Sequence, residues 1–322
     1  VTPRLQLDSD ILNRIDGQGF LAPRGIHDLR SGPHSSAALG MSRSFAEHRP
    51  YTAGDDVRRV DWKVYARTDR LHLRAGEHES ALACHLILDS SASMRYQGRR
   101  GLQSKHQFAA LAIGSLAWLA HRLHDFWSVS SLSGIQSHRL PVAGGSSHLE
   151  ASLALLGATA CSGVGFWEHL QKESNRFSTS AVLVIATDCF DDVSVIRNSL
   201  TACATGGRNV ILLHVCDPDE LDLQTGHHAT RFTGLETDQQ IDTDCPSIRG
   251  AYRDVLRDHL KQLDTACHTL RVQRTLLSTN APLGDALAFS IRQQRERHLT
   301  SRSDLVFLTD TPDSQRPPRS LS

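Results

Sequence analysis

Three apolar runs of strand length organise the chain: residues 81–88, broken only by His85, 181–186, and 210–215, broken only by His214. The first stops at Asp89, the second is followed by Thr187 and Asp188, and the third by Cys216 and Asp217. Helical patterns fill the spaces around them, over 105–124, 149–160, 165–173 and 193–204. Strands that are apolar at nearly every position are strands buried on both faces. Their alternation with helices predicts an α/β fold: a doubly wound, mainly parallel sheet with helices on both faces, Rossmann-like in topology. Weak alternation over 126–133 and 136–142, broken at Ser133-Gly134, adds a hairpin. Further on, the pattern predicts a polar hairpin within 226–244, a helix over 247–269, a strand over 270–277 and a helix over 283–294. A short helix is expected near residues 10–16.

The pattern also divides the chain. Residues 1–79 read as an N-terminal segment packed on a main domain at 80–300, and 301–322 as a polar, proline-rich, disordered tail. Within the first segment, residues 25–74 are dense in charge and glycine and carry Phe45, Tyr51, Trp62 and Tyr65. Asp55 or Asp56 is placed to cap a short helix bearing Arg58, Arg59, Asp61 and Trp62. Acids alternate with bases here, which favours an internal ion-pair network or a protein-docking surface over nucleic acid.

Composition narrows the setting. Basic and acidic residues balance at 35 each, so no global field steers the chain to nucleic acid or an anionic membrane. Seven scattered cysteines without a Cys-x-x-Cys argue against a zinc or disulfide framework and point to a reducing cytoplasm. The longest uncharged apolar stretch, 108–120, is too short to span a bilayer. No signal peptide is visible.

The candidate chemistry lies where the first strand stops. In extended chain, alternate residues face one side, so Asp89, Ser91 and Ser93 present three oxygens to one point. Oxygen ligands of low net charge suit a hard divalent cation. If the first and second apolar strands are neighbours, parallel pairing brings Asp188 to the same edge. Ser147, read as the cap of the helix over 149–160, is expected on a loop opening there too. Hydrogen bonding within the loop is the other reading of Ser91 and Ser93. Asp217 reads as a turn cap.

This constellation resembles the metal-ion-dependent adhesion site of von Willebrand factor type A domains. There an Asp-x-Ser-x-Ser motif, a distant threonine and a distant aspartate hold Mg²⁺ or Mn²⁺. The matching residues here are Asp89, Ser91, Ser93, Ser147 (or its neighbour Ser146) and Asp188, and Ca²⁺ is an alternative ion. Cys189 stands where the type A pattern often has glycine. A second resemblance is denser. Gly25-Ile26-His27, the run from Phe45 to Lys63, Ala66-Arg67 and the stretch from Asp89 to Met94 are similar to the bacterial "domain of unknown function 58" family. That resemblance implies a type A-like domain and a MoxR-type AAA+ ATPase as partner in assembling or remodelling other proteins. Many members carry N-terminal membrane helices; this chain shows none.

Three functions follow as expectations. The leading one is a metal-dependent protein-interaction module, not an enzyme, whose cation accepts a Glu or Asp side chain from a partner. The second is a metal-assisted hydrolase or phosphatase built on Asp89, with His27, His85 or His148 as base. Position 91 lacks the second aspartate of dehalogenase-like phosphatases, and neither a Gly-x-Ser-x-Gly elbow nor a P-loop lysine is present. The third is a metal-free scaffold. Loops splayed apart at that rim, or a lysine or arginine plugging the pocket between the oxygens, would make the leading reading wrong.

Overall fold

The structure, a computed structural model, describes residues 4–19, 45–50, 65, 72–76, 83–134, 136–223, 229–236 and 240–309. The expected helix after Asp55-Asp56, with Trp62, lies outside the described residues, as does the chain beyond 309. The chain divides into two units, Arg24–Leu82 and a larger one of Val1–Pro23 with Ala83–Ser322. In the smaller unit, β1 (Phe45–Pro50) pairs antiparallel with β2 (His72–Gly76), with an irregular register between Phe45 and Glu47.

The larger unit is built on a six-stranded sheet. Its strands are β3 (Ala83–Asp89), β4 (Phe126–Leu132), β5 (Ser137–Ala143), β6 (Val182–Thr187), β7 (Asn209–Cys216) and β10 (Gln273–Ser278). Their spatial order is β10-β7-β6-β3-β4-β5, all parallel except β5. This is the doubly wound order, in which the chain starts centrally at β3, winds outward through β4 and β5, then returns to β6 and winds the other way. The fold is thus the one implied by the resemblance to type A domains. The crevice beyond the carboxyl ends of β3 and β6 is the topological switch point. β8 (Ala229–Thr233) and β9 (Gln240–Asp244) form a separate antiparallel ribbon.

Helices cover both faces: α1 (Ser9–Ile15), α2 (Lys105–Arg122), α3 (Ser146–Ala158), α4 (Phe166–Glu173), α5 (Val193–Ala204), the short α6 (Pro218–Asp222), α7 (Cys245–Thr269) and α8 (Leu283–Thr309). On one face, Trp167, Ile196, Leu200 and Leu263 pack on Ile87, Leu183, Ile185 and Leu212. On the other, α2 lies over β3, β4, β6 and β7. That helix is buried around most of its circumference, which is why its sequence is almost uniformly apolar. A capping box between Ser104 and Gln107 fixes its first turn. Burying a residue such as Ile113 or Leu116, each at most 2% exposed, stabilises the fold by about 1.5–3 kcal/mol.

The helix expected to end near 294 continues to Thr309. No helix among the described residues is long and apolar enough to cross a membrane.

Candidate functional site

Asp89 ends β3, and the register that sets Leu88 beside Ala186 brings Thr187 level with it on β6. The pairing is closed by a side-chain bond, Thr187 Oγ1 donating to Asp89 Oδ2 at 2.6 Å. The other carboxylate oxygen accepts the Ser91 N–H at 2.8 Å, an Asx turn that bends the chain out of the sheet. A 3₁₀ turn over Ala92–Arg95 follows. Ser91 Oγ, at the cap of this turn, and Ser93 Oγ, on it, hydrogen-bond to each other at 3.1 Å, the within-loop bonding that is the other reading of these serines. Between Asp89 and Ser91, Ser90 points the other way, to Ser131 Oγ at 2.5 Å and His106 Nε2 at 3.3 Å. Asp89 and Ser91 thus alternate with Ser90 as extended chain would have them, whereas Ser93 lies in the 3₁₀ turn and not in extended chain.

Asp188 joins this group. Both carboxylates are nearly fully buried, at 2% and 4% exposed, and each feels the other's charge. The Ser93 side chain helps to hold the Asp188 carboxyl down, and the Phe190 N–H donates to Asp188 Oδ1 at 3.2 Å. Cys189 between them takes a left-handed backbone, φ 54°, the conformation that favours glycine. The loop keeps the glycine-like turn at the cost of a buried thiol held there.

The structure corrects one expected ligand. Ser147 is not a cap; it lies inside the first turn of α3, whose N-cap is Gly145 and which has no side-chain cap. It is also exposed and at the wrong edge. β5 runs antiparallel to β4, so its end at Ala143 lies opposite Trp127, while Leu132 lies beside Asp89. Those five residue steps along β4 put the start of α3 roughly 17 Å from the rim. The third loop that does reach the rim follows α3 instead. The Ser162 N–H donates to the Ser90 carbonyl at 2.9 Å, and the Ala92 N–H to the Gly163 carbonyl at 3.0 Å. Cys161 on this loop is pushed up to about 12 by burial and the charge of Asp89.

Two residues missed in the sequence complete the rim. Lys105, 1% exposed at the start of α2, donates from Nζ to Asp188 Oδ2 at 2.8 Å and to Glu220 Oε1 at 2.6 Å. Glu220 belongs to α6, which Asp217 caps through Asp219 N–H at 2.9 Å and a capping box with Glu220 itself. The electrostatics then separate the two aspartates. Burial and the Asp188 charge raise Asp89 to about 7, against the opposing bonds from Thr187 and Ser91. Burial also raises Asp188, but the Lys105 ammonium reverses this and holds it below the usual carboxylate range.

Of the basic groups considered for hydrolysis, His85 is buried in mid-strand, its Nδ1 2.7 Å from Ser128 Oγ and its Nε2 accepting the Ser178 N–H at 3.0 Å. His148 bonds the Trp127 carbonyl at the opposite edge. His27 lies outside the described residues.

Adjacent ligands of an octahedral ion with bonds of ~2.1 Å are separated by ~3.0 Å, and the Ser91 and Ser93 hydroxyls match that spacing. Asp89 and Asp188 add negative charge, but each of their oxygens already has a partner, Asp89 in Thr187 and the Ser91 N–H, Asp188 in the Phe190 N–H and Lys105, so Mg²⁺ or Mn²⁺ would bind through their remaining lone pairs. Lys105 competes for one oxygen of Asp188 only. No cluster of three or more His, Cys, Asp or Glu side chains that could hold a metal occurs among the described residues. A bound ion would therefore depend on the hydroxyls.

The chain is 25% identical to the uncharacterized proteins Rv1480 of Mycobacterium tuberculosis and Mb1516 of Mycobacterium bovis over 275 residues, 82% of this chain and 79% of theirs. Among solved structures, it is similar to the SpRpn10 VWA domain, with 9% identity and a TM-score of 0.37 over 66% of this chain and 95% of that one. The model of the family described as "Protein of unknown function DUF58" matches residues 47–262, and the chain belongs to that family.

Proposed function

We propose that this protein is a docking module, working by binding and not by turnover, whose rim at Asp89, Ser91, Ser93 and Asp188 holds a divalent cation and captures an acidic side chain of a partner protein. The observation that carries this reading is the gathering of the Ser91 and Ser93 hydroxyls, hydrogen-bonded to each other at 3.1 Å, beside two buried carboxylates at the switch point. Bound there, the cation supplies a site of positive charge for one carboxylate oxygen of the partner. Asp89 and the two hydroxyls are the direct ligands. Asp188, anchored by Lys105, is the fixed anion behind them. The family resemblance makes a MoxR-type AAA+ ATPase the partner to test first.

Lys105 favours a second reading. Its ammonium already neutralises Asp188, so the rim also fits a metal-free scaffold in which the lysine is the resident cation. Titration calorimetry with Mg²⁺ and Mn²⁺, on the wild type and on Asp89→Ala with its fold checked by circular dichroism, separates the two. Saturable binding lost in the variant supports the docking module. No heat in either protein, or equal heat in both, leaves the scaffold.

A further inference from the structure

The ribbon β8–β9 is inserted between α6 and α7, directly after β7 leaves the sheet at the rim that carries Asp89 and Asp188. Most of its described side chains are exposed, Ile241 by 59% and Leu235 by 40%. It is therefore held over the site without a core of its own. Two polar contacts tie its turn to the site. The Ser93 N–H donates to Glu236 Oε1 at 3.3 Å. Two residues on, Arg95 Nη2 donates to the Leu235 carbonyl at 3.5 Å. A carboxylate distant in sequence is thus delivered to the residue whose hydroxyl is a candidate ligand.

We infer that Glu236 is an internal competitor for the docking position: its carboxylate takes the place meant for a partner's acidic side chain, and a partner must displace the ribbon to bind. This rests on the reading of the rim as a cation-assisted docking site. The charges explain how the contact is set. Asp188 and Glu220 already take up the Lys105 ammonium, so the Glu236 carboxylate is held through one long bond to the Ser93 amide, while the Arg95 guanidinium holds the Leu235 carbonyl beside it. Added positive charge between the serines draws that carboxylate inward. Displacement is cheap, because a ribbon already exposed uncovers little apolar surface on leaving.

The test uses the full chain and Mn²⁺. Binding is followed by the loss of the free-ion paramagnetic resonance signal, and the ribbon by amide hydrogen exchange over 229–244. In the wild type, Mn²⁺ should slow ribbon exchange several-fold. In Glu236→Gln, which keeps size and hydrogen bonding, Mn²⁺ affinity should fall about tenfold, and at saturating Mn²⁺ the slowing should vanish. Slowing in the variant equal to that in the wild type overturns the role of Glu236 while leaving the docking site intact. Absence of Mn²⁺ binding in the wild type removes both.

Discussion

Lys105 Nζ donates to Asp188 Oδ2 at 2.8 Å from a side chain 1% exposed to solvent. The first residue of α2 is thereby clamped to the carboxyl end of β6. Through Glu220 it is also tied to the helix that follows β7. The rings of Phe190 and Tyr96 lie 5.0 and 5.6 Å from the same ammonium and complete its shell. The lysine fixes a division of labour at the rim. Asp188 is kept ionised by a resident cation, whereas Asp89 has no ion pair among the described residues and is raised to about 7.

Replacing Lys105 with methionine preserves length and removes the charge. The buried Asp188 and the half-buried Glu220 then lose their counterion, and stability should fall by about 3–5 kcal/mol at neutral pH. Urea unfolding in chelator measures it. On the docking reading, Mg²⁺ should restore more stability to this variant than it adds to the wild type. An unchanged unfolding midpoint would show that the pair contributes nothing.

Asp89 and Asp188 should act oppositely on stability as pH changes. The folded-state pKa of Asp89 is raised to about 7, above its unfolded value. In metal-free protein its contribution is fully present at acid pH and is lost as pH rises through about 7. Asp188 is lowered, so its contribution is present above the unfolded pKa and lost as pH falls. Asp89→Asn should therefore be more favourable relative to wild type at pH 8 than at pH 5, measured by denaturant melts in chelator. Divalent binding should weaken below pH 7 as the proton competes for Asp89. A variant-minus-wild-type difference that is flat with pH would refute the assignment.

What the sequence made legible and what it hid have physical causes. Buried parallel strands advertise themselves as near-continuous apolar runs, so β3, β6 and β7 and the edge holding Asp89 and Asp188 were readable. Ser147 was misplaced although the hairpin β4–β5 was anticipated. An antiparallel strand returns the chain to the opposite edge, and the loop before α3 had to open there. Lys105 was hidden because a lysine at a helix start is ordinarily a solvated side chain. Only the tertiary approach of β6 and α6 shows that its ammonium is enclosed. Glu236 stood in a polar hairpin with nothing local to mark its contact.

The position of α3 gives a direct comparison of serines. Ser93→Ala and Ser91→Ala each remove a hydroxyl at the rim, and each should weaken Mn²⁺ binding about tenfold or more. Ser147→Ala, at the opposite edge, should leave affinity and fold unchanged. Calorimetry on the three variants decides it. A loss at Ser147 comparable to that at Ser93 would require the loop before α3 to reach the site.

The loop that leads into α2 should transmit strain to the rim. Asp217 is fully buried and accepts the Gly98 N–H at 2.9 Å, the Asp219 N–H at 2.9 Å and the Thr279 hydroxyl at 3.2 Å. A Cβ on Gly101 would press into Asp217 Oδ2 and come within 3.1 Å of Thr279 Oγ1. The same loop sets the start of α2, where the Lys105 N–H donates to the Tyr96 carbonyl at 3.0 Å. Gly101→Ala should then cost about 1–3 kcal/mol by overpacking, and part of that cost should be loss of the Lys105–Asp188 contact. In a double-mutant cycle with Lys105→Met, the combined loss should fall short of the sum by about 0.5 kcal/mol or more. Strict additivity would mean that the glycine loop and the lysine clamp are independent, and that Lys105 is held by its ion pairs alone.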